Sequence, residues 1–502
     1  MNKIYVLYLG EEDWSKTHDI PEHIEFTFCK SIRSFPVELK KRIADVVILD
    51  RNIQRDELDT LCFLTRGYCL FVTERVDRNE SSNMSYFERK MGQYLYAKDI
   101  DVFLATEASK FYEPPYGEKY SPNALVVSQF FRGKVSSQGN YNLLLEGNFG
   151  EEFSQIAFWR NTLPLFANQI LDLYLEYRKT GNVEICLRVI QFYNGSADQV
   201  RQIWEFDEEA LKDVVTIGNQ DEYGPFFVSI LAKGKGSLQI ISLHDRHSRQ
   251  DRGYFIPGGK RLTSPEGEEL FSYFEKGDGK PPFAVYFSGY RQQEGFEGYY
   301  MMRNLGCPFI LFTDPRSEGG AFYVGNEAYE SLIVDEIREK METLGFTKKD
   351  LVLSGASMGT YGSLYYGSQL EPHALILAKP LTNMGTVAKN ERILRTEGFA
   401  TSLDVLMKNY GSIDENAIQA FDERLWKHFV QADWSQTKFI VSYLYEDDYD
   451  PDGYRNLLTH LKSEGVQVYG KGNHGRHTDN SFAVMEWFKS QYHKVLKEDY
   501  HR

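Results

Sequence analysis

The pentapeptide Gly355-Ala356-Ser357-Met358-Gly359 has the form G-x-S-x-G. Its chemistry is that of a serine nucleophile held on a sharp turn from strand to helix. In such an elbow, side chains two residues before and two after the serine would collide with their neighbours, and glycine removes the collision. The preceding "DLVLS" reads as a strand and the following "MGTYGSLYYGSQL" as a helix. Ser357 then stands at a helix N-terminus, where the helix dipole and the Met358 N–H can stabilise an oxyanion. An ordinary glycine-rich strand-to-helix turn has the same letters, so the reading depends on partners.

A serine hydroxyl needs a base, and the base needs an orienting acid. In α/β-hydrolase chain order these follow as acid and then histidine. The strand-like "FIVSYLYE" ends in Glu446-Asp447-Asp448, followed by Tyr449-Asp450-Pro451. Asp447 is favoured because it lies four residues before a proline, with Glu446 and Asp448 as alternatives. After the next strand, "VQVYGKG", come His474 and His477. His477 is favoured because it precedes "TDNSFAVMEWF", a capped helix with Phe482, Met485 and Phe488 on one face. His474 would then shape the loop. The segment "VYFSGYR" supplies a second oxyanion donor, the N–H of Gly289 or of Tyr290.

The elements that must position these residues fall in the last part of a chain of 502 residues. Fold class is α/β. From 262 to 502, strands alternate with helices and imply a mostly parallel sheet, interrupted by a helical insert at about 381–434. The helix before the elbow carries Ile333, Ile337, Met341 and Leu344 on one face. From 1 to 120, "KIYVLYLG", "ADVVILD" and "YCLFVTERV" read as buried parallel strands, with "FPVELKKRI" as a helix between them. That pattern suggests a small doubly wound, Rossmann-like layer without the G-x-G-x-x-G of a dinucleotide site. From 121 to 261, strand-like runs are separated by Gly, Asn and Asp and suggest a β-sandwich of jelly-roll or carbohydrate-binding type. Phe131, Trp159, Tyr193 and Trp204 are its candidate sugar-stacking aromatics, with burial in the core as the alternative.

Charged residues are 26% and hydrophobic ones 42%, which describes a globular chain. A net charge of −15 argues against nucleic acid as a partner. Five cysteines at irregular spacing fit neither a zinc site nor a disulfide framework and point to a reducing, cytoplasmic setting. No apolar run is long enough for a transmembrane helix, and the N-terminal run is too short for a signal peptide.

The motifs "GASMGTYGSLYYG", "LYEDDYDP", "GNHGRHTDN" and "FSGYR", with the start "YLGEEDW", give the chain a resemblance. It resembles the accessory Sec system protein family of Gram-positive bacteria. The resemblance implies an esterase-like α/β-hydrolase domain that O-acetylates N-acetylglucosamine on serine-rich repeat adhesins during their export. It carries the roles of nucleophile, acid and base onto Ser357, Asp447 and His477. It implies no tightly bound cofactor, but an acetyl donor as co-substrate. Expected partners are other accessory secretion proteins, a translocase ATPase and the glycoprotein with its glycans, in the cytoplasm or peripherally at the translocase. Two other readings use the same residues: a carbohydrate esterase with water as acceptor, and a non-catalytic adaptor on a hydrolase scaffold.

Overall fold

A computed structural model describes residues 3–113, 115–196, 198–218, 221–394, 398–461 and 465–502. The protein is a mixed α/β chain with three separate sheets. In the first sheet, Ile4–Leu9 lies between Ile24–Cys29 and Val46–Leu49, followed by Leu70–Val72 and Gln93–Tyr94, all parallel. Its central strands are buried on both faces, as their unbroken apolar runs require. The helix expected at "FPVELKKRI" is only a short turn, Leu39–Lys41. Phe35 is buried but Val37 is 65% exposed, so the segment has no continuous apolar face to bury.

The second sheet is antiparallel and surrounds one core that includes Leu145, Leu173, Ile185, Val189, Ile230 and Leu238. Its organising element is the long strand Gly224–His247, which pairs first with Glu184–Phe192 and then with Ile170–Gly181. Trp159 is wholly buried, and Phe131 and Trp204 pack against the core, so these three are structural here; Tyr193 is exposed. The boundary expected at 261 moves. Gly259–Thr263 pairs with the third sheet, because its partner is Glu269–Glu275.

We number the third sheet's strands β1 Gly259–Thr263, β2 Glu269–Glu275, β3 Phe283–Phe287, β4 Phe309–Thr313, β5 Leu351–Ala356, β6 Ala374–Ala378, β7 Lys438–Leu444 and β8 Gln467–Asn473. Their order is β1-β2-β4-β3-β5-β6-β7-β8, with β4-β3 and everything after parallel. The elbow therefore leaves a central strand. Its helices of ten residues or more are α1 Glu327–Leu344, α2 Met358–Leu370, α3 Met384–Ile393, α4 Thr401–Tyr410, α5 Glu415–Phe429 and α6 Ser481–Asp499. Ile333 and Ile337 of α1 are buried, with Met341 and Leu344 packed at the core's margin. On α6 the buried face is Val484, Phe488 and Tyr492, whereas Phe482 is 81% exposed, one step off the stripe. Helices α3 to α5 lie between β6 and β7 and share the core of α2 through Val387, Leu406, Phe421 and Leu425. No helix among the described residues is long and apolar enough to cross a membrane.

The insert also meets the sandwich. Asp404 of α4 lies where a Cβ on Gly139 would stand 2.4 Å from its Oδ1, while Lys408 of α4 pairs within the third region, with Glu268 at the turn before β2. Burial, with the Glu318 charge adding, pushes the Asp404 carboxyl up to about 7. A carboxyl with a raised folded pKa adds stability that is complete below its ordinary value and is lost as pH rises through the folded one. Asp245 and Asp422, pushed up to about 6 mainly by burial, act in the same direction. Through these groups thermal stability should therefore fall from about pH 4 to about pH 7, and Asp404→Asn should flatten that fall. Equal slopes for the two proteins in a melting series across this range would remove Asp404 from the account.

Candidate active site

The turn at Ser357 is as tight as its glycines suggest. Ser357 has φ 52° and ψ −119°, a strained region for any side chain. A Cβ on Gly355 would stand 2.3 Å from the Gly359 carbonyl carbon, and one on Gly359 would stand 2.1 Å from the Phe287 oxygen. Ser357 caps the N-terminus of α2, and its N–H donates to Ala378 O at 2.8 Å. Ser357 as a residue remains partly open to solvent.

Strands β7 and β8 bring the other groups together. Leu444 pairs with Asn473 at their carboxyl ends, so the two loops that follow start side by side. His477 Nε2 lies 2.8 Å from Ser357 Oγ, and its Nδ1 lies 2.9 Å from Asp447 Oδ2. Imidazole and carboxylate are both buried. The second carboxylate oxygen, Asp447 Oδ1, accepts the N–H groups of Tyr449 at 2.9 Å and Asp450 at 3.2 Å. The arrangement can pass the serine proton to Nε2 while the carboxylate fixes the Nδ1–H tautomer.

The neighbouring candidates take other positions. Glu446 turns outward and accepts from Gly475 N–H and His474 Nδ1, contacts that hold its carboxyl below the usual range. The His474 side chain is 84% exposed. Asp448 Oδ1 accepts the His477 backbone N–H at 3.0 Å and so shapes the histidine loop without touching its ring.

For the oxyanion, Met358 N–H is the first of the helix donors that have no partner within α2. Gly289 approaches the elbow, but its N–H donates to Glu297 Oε2 at 2.7 Å and is not free for substrate in this state. The reason is that the loop folds back and delivers the Glu297 carboxylate to it. Tyr290 N–H makes no hydrogen bond among the described residues, so of the two loop donors it is the available one.

Three positioning residues are not evident from the sequence. Lys379, at positive φ after β6, donates through Nζ to His477 O at 2.6 Å, Asp479 O at 3.0 Å and Ser481 Oγ at 2.8 Å. Burial pushes its ammonium down, and Asp447 opposes this. Asp450 is buried and accepts four hydrogen bonds from Thr382 and Asn383, which ties the acid loop to the start of the insert. Tyr449 stacks on His477 with ring centres 4.3 Å apart and 9° between planes, and Phe399 of the insert stacks on Tyr449. The only signal for Asp450 was its place in the acidic run; Lys379 had none, because its acceptors lie about a hundred residues further on.

Lys379→Met should lower kcat for hydrolysis of a chromogenic acetyl ester by about ten-fold, since a charged donor's hydrogen bonds are each worth ~1.5–3 kcal/mol. The KM should change little, because Lys379 faces the histidine loop and not the opening. Unchanged kcat would mean that the loop holds its place without this lysine.

A family model described as "Accessory Sec system GspB-transporter" matches residues 4–502. An accessory Sec system protein of Streptococcus gordonii is 36% identical over 509 residues, covering 99% of this chain and 98% of its own. One from Staphylococcus aureus is 40% identical over 460 residues, covering 91% of this chain and 88% of its own. A chain in the solved glycosylation-associated protein (Gap123) complex from Streptococcus agalactiae superposes with a TM-score of 0.85 at 35% identity, over 100% of this chain and 99% of that one. With identity and fold matched along the full length, the chain belongs to the accessory Sec system protein 2 family.

Proposed function

We propose that the protein is a serine-dependent O-acetyltransferase of α/β-hydrolase type, acting on N-acetylglucosamine of a serine-rich repeat glycoprotein within its export machinery. The observation that carries the chemistry is the continuous chain Ser357 Oγ, His477 Nε2, His477 Nδ1, Asp447 Oδ2 at 2.8 and 2.9 Å on a strained elbow. Family membership supports the export role. The Gap123 structure, titled as a complex, supports assembly with other accessory secretion proteins. The translocase ATPase and the adhesin are partners on the resemblance alone.

In this reading, His477 takes the Ser357 proton as Oγ attacks the carbonyl carbon of an acetyl donor. The tetrahedral oxyanion lies against the Met358 and Tyr290 N–H groups, and loss of one such donor costs on the order of 3 kcal/mol. Collapse expels the donor's leaving group, which takes the proton from His477. A sugar hydroxyl then gives its proton to His477 and attacks the acetyl-serine, and Ser357 is regenerated. Asp447 holds the tautomer and stabilises imidazolium throughout. No tightly bound cofactor enters these steps; the acetyl donor is a co-substrate. Because Ser357 is partly open to solvent, water can compete as acceptor, so the esterase reading stays as an outcome of the test.

In cells carrying Ser357→Ala we expect the adhesin to be exported with its N-acetylglucosamine unacetylated, read by mass spectrometry of secreted glycans. Higher acetylation in the mutant would show an esterase, and unchanged acetylation an adaptor. In the purified enzyme, Asp447→Asn should reduce ester turnover by about 10⁴-fold, as loss of the tautomer-fixing acid does in such triads. Glu446→Gln and Asp448→Asn should each cost far less. Equal mild losses from all three would place the acid elsewhere.

A further inference from the structure

The loop that carries Gly289 and Tyr290 does not return at once to its own sheet. From Arg291 to Gly295 it lies along Gly117–Tyr120, which the sequence placed in the first region but which pairs antiparallel with Gly224–His247 of the sandwich. Glu294 N–H donates to Gly117 O at 3.2 Å, and Lys119 Nζ donates to Arg291 O at 3.2 Å. Gly295 has φ 122°, and a Cβ there would stand 2.3 Å from the Tyr116 ring, so this close contact requires glycine.

The Glu294 side chain passes into the sandwich and is 2% exposed. Its Oε1 accepts from His244 Nδ1 at 2.5 Å, and its Oε2 lies 3.5 Å from Arg246 Nε. Behind the imidazole, Ser242 Oγ donates to Glu176 Oε2 at 2.7 Å and lies 2.9 Å from His244 Nε2. Because the one Ser242 proton goes to Glu176, Nε2 has to donate as well, and His244 is an imidazolium between two carboxylates. Burial and Arg246 push its pKa down, but the two glutamates prevail and hold it above the ordinary value. Burial likewise opposes ionisation of Glu294, and Arg246 and His244 overcome it, holding that carboxyl down to about 2. Nothing in acyl transfer uses this buried pair. What the pair does hold is a loop whose Tyr290 N–H must be placed to a fraction of an ångström.

We propose that Glu294 and His244 are positioning residues: through their buried contact the sandwich grips the loop and sets the Tyr290 N–H opposite that of Met358. The inference rests on the acyl-transfer reading given above. It makes the sandwich a working part of the site, which a separately docked glycan-binding module would not be.

The test uses the full chain with Glu294→Gln, and Val189→Ala as a control that weakens the sandwich core away from the loop. Two quantities are read: kcat for p-nitrophenyl acetate per serine titrated by a fluorophosphonate, and hydrogen–deuterium exchange of the 286–298 segment. Glu294→Gln should lower kcat by about ten- to a hundred-fold with little change in KM, the scale of a misplaced reacting group. It should also speed exchange across Gly289 and Tyr290. Val189→Ala should lower the melting temperature and do neither. If Glu294→Gln matches Val189→Ala in both readouts, the pair is merely structural and the proposal falls. Should Glu294→Gln not fold, His244→Gln, which removes the imidazole from the same contact, is measured in its place against the same two outcomes. If Ser357→Ala turns over the ester as fast as the unaltered protein, the acyl-transfer reading fails, while the exchange result still decides whether the grip exists.

Discussion

The Ser357 end of this protein, where we propose that acyl transfer takes place, depends on one backbone contact. Gly359, in the first turn of α2, lies so close to the Phe287 carbonyl that even a methyl group would not fit. The contact fixes the end of β3 against the start of α2, and so brings the oxyanion loop and the nucleophile within reach of each other. It also forces Ser357 into a conformation that costs on the order of 1–3 kcal/mol. The surroundings offset this. Ser357 N–H is held by Ala378 O, Thr360 Oγ1 donates to Ser357 O at 2.6 Å, and Leu353, Leu375 and Val441 bury the adjoining strands completely. The tyrosine hydroxyl of Tyr323 reaches Ser288 O at 2.7 Å and holds the loop from its far side.

Around that contact, buried charged groups act as posts. Lys379 gathers the histidine loop and Asp450 gathers the insert, each with three or more hydrogen bonds. A buried charge without partners is expensive, so each post enforces the geometry of everything bonded to it. The stack His477, Tyr449, Phe399 extends this from the imidazole into the insert, and Tyr290 meets Phe399 edge-on with ring centres 5.4 Å apart. The insert thus touches both the base and the oxyanion loop.

The regions before the third sheet are bound to it by the same means. Lys90 of the first region pairs with Glu275 of β2 at 2.9 Å, with both side chains buried. Arg303 donates to Thr65 O at 2.8 Å. The sandwich meets the third region through Glu294, Lys119 and Asn140, whose Nδ2 donates to Glu318 Oε2 at 2.9 Å. Apolar contacts join them as well: Tyr68 meets Tyr273 and Phe255 meets Phe271, with ring centres 5.8 and 4.5 Å apart. Such pairings between distant segments leave no mark on patterning along the chain, which suggested three separable pieces.

The sequence by itself determined what depends on neighbours a few residues apart. Gly355 and Gly359 flank Ser357 at i−2 and i+2, and the turn they permit is local. The buried parallel strands were legible because unbroken apolar runs suit no other element of that length. The place after the last strand left two histidines, and His477 was favoured over His474 because it lies just before the final helix. Tertiary structure decided the rest. Glu446, Asp447 and Asp448 are alike in composition, and only the pairing of β7 with β8 selects Asp447 for the imidazole while turning the other two to backbone amides. Gly289 fits an oxyanion loop as well as Tyr290 does, until the fold delivers Glu297 to its N–H. Trp159 could have faced solvent or core, and the register of its strand put it inside. Lys379 and Glu294 carry no motif, because their partners lie about a hundred and about fifty residues away. Short-range spacing encodes a turn, but a hydrogen bond between distant segments exists only once packing has set where both ends stand.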